Sequence, residues 1–286
     1  SREKQNFQPS IDLQPLNEQH SLQLIEEEAA SRSIKLTARQ KNLVFQITGG
    51  LPMAIQWSIV HLEDSSNVDT AIALLKEKEA GLLEYCFAES VSRIKNIEGQ
   101  NLLVALSLFP AGATDTQLRQ TSGLTNSEPA YEGSISLLRR MSLVVTSDSR
   151  ISILPLTKRL VVQIIKKDPT YFESCKRRHA KTICDFLSSL ADKLWVTGIN
   201  PFEWHADSEN VDETIQLWKK DGQATELCEL LIHHYPFTLV YGRWNEYINL
   251  CEFCLSATVN EQTLLLKLLF RLTSIYEHSG NVEKSD

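Results

Sequence analysis

The stretch ITGGLPMAI, residues 47–55, decides how this chain is organised. Apolar side chains recur at helical spacing on both sides of it, which predicts two consecutive helices. Gly49 and Gly50 lack a Cβ, so they can take the left-handed conformation that ends the first helix. Pro52 suits the first position of the second helix, where its missing N–H costs nothing. The stretch therefore predicts a tight corner between two helices.

The composition indicates a soluble globular protein of more than one domain. The chain has 286 residues, of which 42% are hydrophobic and 23% charged. No apolar run approaches the ~20 residues that a membrane-spanning helix needs. Six cysteines lie in helical patterns, which favours reduced thiols in the cytoplasm over a disulfide framework.

Helical patterns predict a mainly α fold, which begins with a bundle over residues 12–80. Asn17 and Thr37 are placed to cap two of its helices. Residues 169–286 read as helical hairpins of tetratricopeptide-like type. Within them, Gly242 and Gly280 lie 38 residues apart, close to the ~34-residue period of such repeats.

Residues 81–168 contain the parts of a winged helix. Three predicted helices precede a β-hairpin, and they span residues 100–108, 115–121 and 128–141. Two β-branched runs around the polar turn 147–149 predict the hairpin. The chain is thus expected to be a helical bundle, then a winged helix, then helical hairpins.

The corner resembles the GLPLA motif of the NB-ARC family of STAND nucleoside triphosphatases, with Met53 replacing the second leucine. In that family the proline contacts the adenine of bound ADP or ATP. The resemblance therefore implies that Gly50, Leu51 and Pro52 bind nucleotide. Ser1-Arg2-Glu3 is similar to a family segment whose arginine senses the terminal phosphate. By that resemblance Arg2 is a nucleotide-binding residue and residues 1–11 end a nucleotide-binding domain; a charged chain terminus is the alternative.

The segments ALSLFP (105–110) and LLRRMSLV (137–144) resemble the winged-helix domain of the same family. Many members carry a histidine there that touches the ADP phosphate and holds the off state. Leu154 falls in the matching stretch, and its side chain cannot donate a hydrogen bond. The resemblance implies that this lock is absent or weakened.

The resemblance implies that this chain is a regulatory fragment of a STAND ATPase switch. The parent would bind ADP or ATP with magnesium, form oligomers and signal through protein partners of residues 169–286. This fragment alone is not expected to bind nucleotide tightly. A phosphate-binding G-x-x-x-x-G-K-[ST] loop does not occur in the sequence, so we expect no ATP hydrolysis by this chain. That loop would belong to a nucleotide-binding domain upstream, which would be this fragment's partner.

Two other classes of function remain open, a DNA-binding regulator and a helical adaptor without nucleotide control. Residues 100–168 hold 8 basic and 5 acidic residues in a chain of net charge −7. The third winged-helix helix offers Arg139 and Arg140 only at its far end, which favours a structural role over DNA binding.

Two short motifs have plain structural interpretations. Cys251-x-x-Cys254 lacks a second cysteine pair, so core cysteines are favoured over a metal or redox site. His233 and His234 precede Pro236, and we expect them to cap the C-terminal end of a helix.

Overall fold

The computed structural model describes residues 14–63, 65, 67–94, 97–125, 127–153, 155–197, 201–257 and 261–279. Within these ranges the chain forms fourteen α-helices and one three-stranded sheet, so the predicted mainly α class is confirmed. Two compact units divide the chain. The first takes the described residues up to 94 together with 140–142, and the second takes the remainder. Among the described helices, none combines the length and the apolarity of a membrane span.

The first unit is a helical bundle built around its third helix. Its helices are α1 (Glu18–Ser31), α2 (Ala38–Thr48), α3 (Pro52–Glu63), α4 (Val68–Glu77) and α5 (Leu82–Arg93). The other four helices all pack on α3, which is apolar around most of its circumference and therefore buried. Trp57 is fully buried there, and its Nε1 donates to the Ser142 carbonyl at 3.2 Å. Each fully buried isoleucine or leucine of this core contributes about 1.5–3 kcal/mol.

Local capping sets the ends of these helices where the sequence predicts them. The Asn17 side chain accepts a hydrogen bond from His20 N at 2.9 Å, which caps α1. Thr37 and Gln40 form a reciprocal capping box at the start of α2. Gly49 ends α2 with a left-handed φ of 59°. These predicted caps are confirmed.

The second unit begins with a winged helix. It comprises α6 (Ile97–Leu106), β1 (Ala113–Thr114), α7 (Asp115–Ser122), α8 (Glu128–Arg140), β2 (Val145–Ser147), β3 (Arg150–Ser152) and α9 (Pro155–Lys167). The strands are antiparallel in the order β1-β3-β2, and Ile151 pairs with both Ala113 and Thr146. The predicted helices and hairpin are present. Strand β1 was not predicted, because a run of two residues is too short to show the alternating apolar pattern of a strand.

Long helices complete the second unit. They are α10 (Pro169–Thr197), α11 (Pro201–Lys220), α12 (Ala224–Tyr241), α13 (Trp244–Ser256) and α14 (Gln262–Ser279). The helical hairpins are therefore confirmed. Helix α10 is the connector, because it packs against α6, α7 and α9 of the winged helix and against α11 and α12 of the hairpins. The boundaries predicted at residues 80/81 and 168/169 stay predictions.

The expectation that His233 and His234 cap a helix end is wrong. Helix α12 continues through Pro236 to Tyr241. Proline costs one helical hydrogen bond, but burial offsets that cost. Phe237 is 1% exposed and stacks on Trp204, with ring centroids 4.4 Å apart.

Candidate functional site

The Gly-Leu-Pro corner is closed by a backbone contact that only glycine allows. Gly50 has a φ of 74°, and a Cβ on it would lie 2.3 Å from the carbonyl oxygen of Leu16. Leu16 N in turn donates to the Gly50 carbonyl at 2.9 Å. The segment that enters α1 is thereby fixed against the turn that leaves α2. Glycine at position 50 is required by both conformation and space.

The corner presents two apolar side chains to solvent. Leu51 is 45% exposed, and Pro52 beside it is also exposed. Their support is rigid, because Ile55 N donates to the Leu51 carbonyl at 3.0 Å and Ala54 is buried in the core. A fixed apolar step of this kind suits one face of a flat, partly apolar ligand such as a nucleobase.

The structure places three of the four predicted nucleotide-binding residues. Gly50, Leu51 and Pro52 are consecutive in the corner, and the first is buried while the other two face outward. Arg2 and Leu154 lie outside the described residues, so the roles predicted for them stay predictions. The sequence did not indicate Leu16 as the partner of Gly50, because the contact joins segments 34 residues apart.

A second site, which we call the polar cluster, consists of Gln117, Arg150, Asp207 and Asn210. It joins the winged helix to α11. Arg150 Nη1 and Nη2 donate to the two Asp207 carboxylate oxygens at 3.1 and 2.7 Å. Gln117 Nε2 and Asn210 Nδ2 also donate to that carboxylate, at 3.1 and 2.7 Å. The Asp207 side chain is only 4% exposed, and these donors together satisfy its buried charge.

The polar cluster also holds the loop between α6 and β1. Arg150 Nη2 and Asn210 Nδ2 donate to the Gly112 carbonyl at 2.7 and 3.0 Å. The side-chain oxygen Oδ1 of Asn210 accepts from Ala111 N at 3.0 Å. This loop contains Phe109, Pro110, Ala111 and Gly112. The loop is a bound element with buried partners on α11.

Helix α10 is fixed to the winged helix at the C-terminal end of α7. Arg178 Nε donates to the Thr121 carbonyl at 2.8 Å, and the Tyr171 hydroxyl donates to the Ser122 carbonyl at 3.1 Å. Cys175 Sγ approaches the Thr121 carbonyl at 3.5 Å. The last carbonyls of a helix lack intrahelical donors. Side chains of α10 supply these donors, and a cation there also complements the helix dipole.

A buried histidine lies beside the polar cluster. His179 is 1% exposed, and its ring meets Phe109 edge-on with centroids 4.4 Å apart. Its Nε2 has no hydrogen-bond partner among the described residues. Burial lowers the pKa of His179 to about 3, against a smaller upward effect of Asp207. The imidazole is therefore neutral at physiological pH.

The outward face of α8 begins with two acidic side chains that are paired with a cation. Arg119 of α7 donates to Glu128 at 2.7 Å and to Glu132 at 2.8 Å, so both acids at the start of α8 are paired with it. Its guanidinium also lies 3.7 Å from the Tyr131 ring centroid. Arg139 donates to Thr146 Oγ1 at 3.3 Å. A DNA phosphate would have to displace the contacts of Arg119.

All six cysteines are buried free thiols. Cys251 and Cys254 are both 0% exposed, so their predicted core placement is confirmed. Burial raises the pKa of Cys175 to about 11 and that of Cys254 to about 12. The thiolate is the reactive form of cysteine. Because Cys175 and Cys254 stay protonated and buried, they are unreactive in the folded protein. No cluster of three metal-ligating side chains occurs among the described residues.

Comparisons with known proteins add no assignment to these sites. No protein-family model matches the chain, and no curated protein or solved structure does either.

Proposed function

We propose that this chain is the regulatory portion of a STAND-type ATPase switch, as the resemblance of the corner implies. The exposed step of Leu51 and Pro52 carries the proposal. An adenine ring has two flat faces that are stabilised by apolar contact, and this step offers such a contact at the hydrogen-bonded start of α3. Arg2 would sense the terminal phosphate. The phosphate-binding loop and the magnesium ligands of ADP or ATP would come from sequence outside this chain.

In this proposal the second unit transmits the nucleotide state. The polar cluster fixes the winged helix to α11, and Arg178 and Tyr171 fix α7 to α10. Winged helix and helical hairpins would therefore move as one body when the nucleotide changes. Oligomerisation and partner binding by residues 169–286 would follow from that movement.

Isothermal titration of ADP tests the corner, with this chain extended upstream to include the phosphate-binding domain that the proposal requires. We expect Leu51→Ala and Pro52→Ala each to weaken binding about fivefold, because about 1 kcal/mol of contact with the base is lost. Leu74→Ala is the matched control, since Leu74 is 42% exposed on α4 of the same unit. Unchanged affinity in both corner variants, or no ADP binding at all, would refute the proposed nucleotide role.

The second candidate is a helical adaptor that binds protein partners without nucleotide control. A groove on α14, lined by the exposed side chains of Leu266 and Phe270, favours it. The two candidates differ in one measurement, because only the switch predicts that ADP changes partner affinity. A DNA-binding role has less support, because Arg119 is engaged by acids of α8. Salt-dependent duplex binding that charge reversal of Arg139 reduces would revive it.

A further inference from the structure

A groove of about 560 Å³ lies between α10, α12 and α14. We call it the α14 groove, and α14 lines it with Thr263, Leu266, Lys267, Phe270 and Arg271. These positions follow the i, i+3, i+4, i+7, i+8 spacing of a single helix face. Leu268, Leu272 and Ile275 form the opposite, buried face. Helix α14 is therefore apolar on two sides, of which the fold covers one.

Two large apolar side chains stand open on the uncovered face. Leu266 is 67% exposed and Phe270 is 69% exposed. They are four residues apart, so they lie one turn apart on the same face. Single exposed apolar residues are ordinary on protein surfaces, whereas a contiguous apolar patch at a concave site marks an interaction surface.

The charge at the α14 groove is opposite to that of the surrounding sequence. Residues 169–286 hold 11 basic and 17 acidic side chains. Among the described residues that line the groove, however, Lys267 and Arg271 are basic, His233 is a histidine, and none is acidic. A cationic site in an acidic region favours an anionic partner.

Arg271 is held in place without an acid. Its guanidinium lies 4.6 Å from the Tyr235 ring centroid and 5.9 Å from that of Phe270. Among the described residues, neither Lys267 nor Arg271 makes an ion pair. Aromatic faces orient the cation and leave its charge available to an incoming carboxylate.

The wall of the groove formed by α12 carries a backbone acceptor. Pro236 lines the groove and has no N–H, so the Ile232 carbonyl lacks its usual donor four residues on. Ile232 lines the groove as well. A partner can therefore add a polar contact to the apolar and charged ones.

We propose that the α14 groove binds an amphipathic helix of another protein, with a large apolar residue between Leu266 and Phe270 and carboxylates facing Lys267 and Arg271. The lining residues of α14 span two helical turns, which suits a helix laid into a groove. This inference rests on the proposed partner-binding role of residues 169–286 and does not require nucleotide control.

Fluorescence anisotropy with the 286-residue chain tests the proposal. The probes are three helical peptides of about 18 residues, or five turns, that share one leucine-phenylalanine face. Their flanking positions carry glutamate, glutamine or lysine. We expect the glutamate peptide to bind about tenfold more tightly than the lysine peptide and to weaken as salt is added.

Variants of exposed residues locate the binding. Phe270→Ser should abolish binding, whereas Leu269→Ser is the matched control, because Leu269 is 41% exposed on α14 and does not line the groove. The pair Lys267→Glu and Arg271→Glu should reverse the preference towards the lysine peptide. Thermal melts followed by circular dichroism check that each variant is folded.

Three results would overturn the proposal. They are equal affinity for the three peptides, no binding of any peptide, and dimerisation of the chain that Phe270→Ser abolishes, which would show a second copy as the occupant. None of them bears on ADP binding at the corner, and failure of the ADP titration leaves the peptide test intact. The two proposals can thus fail separately.

Discussion

The corner and the polar cluster hold their parts of the chain by opposite means. The corner depends on backbone conformation, with a left-handed glycine against the Leu16 carbonyl. The polar cluster depends on side chains whose partners lie far away in sequence, such as Arg150 with Asp207 and Ala111 with Asn210. Local backbone conformation depends on a few adjacent residues. A buried charge network is specified only when the folded chain brings its members together.

The largest expected effect is the loss of Asp207. Asp207→Ala leaves the Arg150 guanidinium in a largely buried site without its carboxylate, which we expect to lower the free energy of unfolding by about 3–5 kcal/mol. Urea denaturation followed by circular dichroism measures it. Asp212→Ala is the control, because the Asp212–Arg243 pair is exposed at 43% and 38% and should cost less than about 1 kcal/mol. Equal effects of the two substitutions would show that the polar cluster stabilises the fold no more than an exposed ion pair does.

The corner should be broken by a single methyl group. Gly50→Ala forces an alanine into a left-handed conformation, which costs about 1–3 kcal/mol, and its Cβ would collide with the Leu16 carbonyl. Gly49→Ala meets the same kind of backbone cost, with a φ of 59°, but has open space around its Cβ. The difference between the two variants in urea denaturation isolates the clash. If Gly49→Ala costs as much as Gly50→Ala, the contact with Leu16 does not close the corner.

A smaller effect, about 2 kcal/mol between pH 7.5 and pH 5, makes stability depend on the protonation of a histidine beside the polar cluster. The pKa of His179 falls from its ordinary 6.5 to about 3 on folding, chiefly through burial. Between pH 3 and pH 6.5 the His179 imidazole is protonated in the unfolded chain but not in the native state. Stability should therefore decrease as pH falls from 6.5 towards 3, by about 1.4 kcal/mol per pH unit for this group. His234 is buried in the same way, with its pKa lowered to about 3.

Denaturation curves at pH 7.5 and pH 5 measure this slope. His179→Leu removes one of the two histidines whose pKa is lowered to about 3, together with an unpartnered Nε2. The stability of this variant should therefore change less between the two conditions than that of the native chain. A variant with the native slope would show that His179 is protonated equally in both states.

The same contrast explains how much of the fold could be predicted from the sequence. Asn17, Thr37, Gly49 and Pro52 act through neighbours within a few residues, and their predicted roles at helix ends are all confirmed. The mainly α class and the helical hairpins followed from periodicity. Strand β1 did not, because its pairing with β3 depends on residues nearly 40 positions away.

The sites were less predictable than the helices. Asp207 and Asn210 are three residues apart on α11, a spacing common on solvent-facing helices, so nothing marked them as buried. Pro236 predicted a helix end, yet the stack of Phe237 on Trp204 keeps α12 continuous. In both cases the deciding contact is tertiary. The corner resembled a known motif, but its partner Leu16 became evident only in the fold.

Labelling of the buried cysteines can report local opening of the fold. A buried thiol is alkylated only when its surroundings open, so the rate of labelling at each cysteine measures how often that part of the fold opens. Cys86 reports on the first unit, and Cys251 on the hairpins. Cys175 faces the Thr121 carbonyl, so its labelling would register each departure of α7 from α10. In a form extended by the nucleotide-binding domain that the proposal requires, mass spectrometry with and without nucleotide would therefore follow the proposed switch without any added probe.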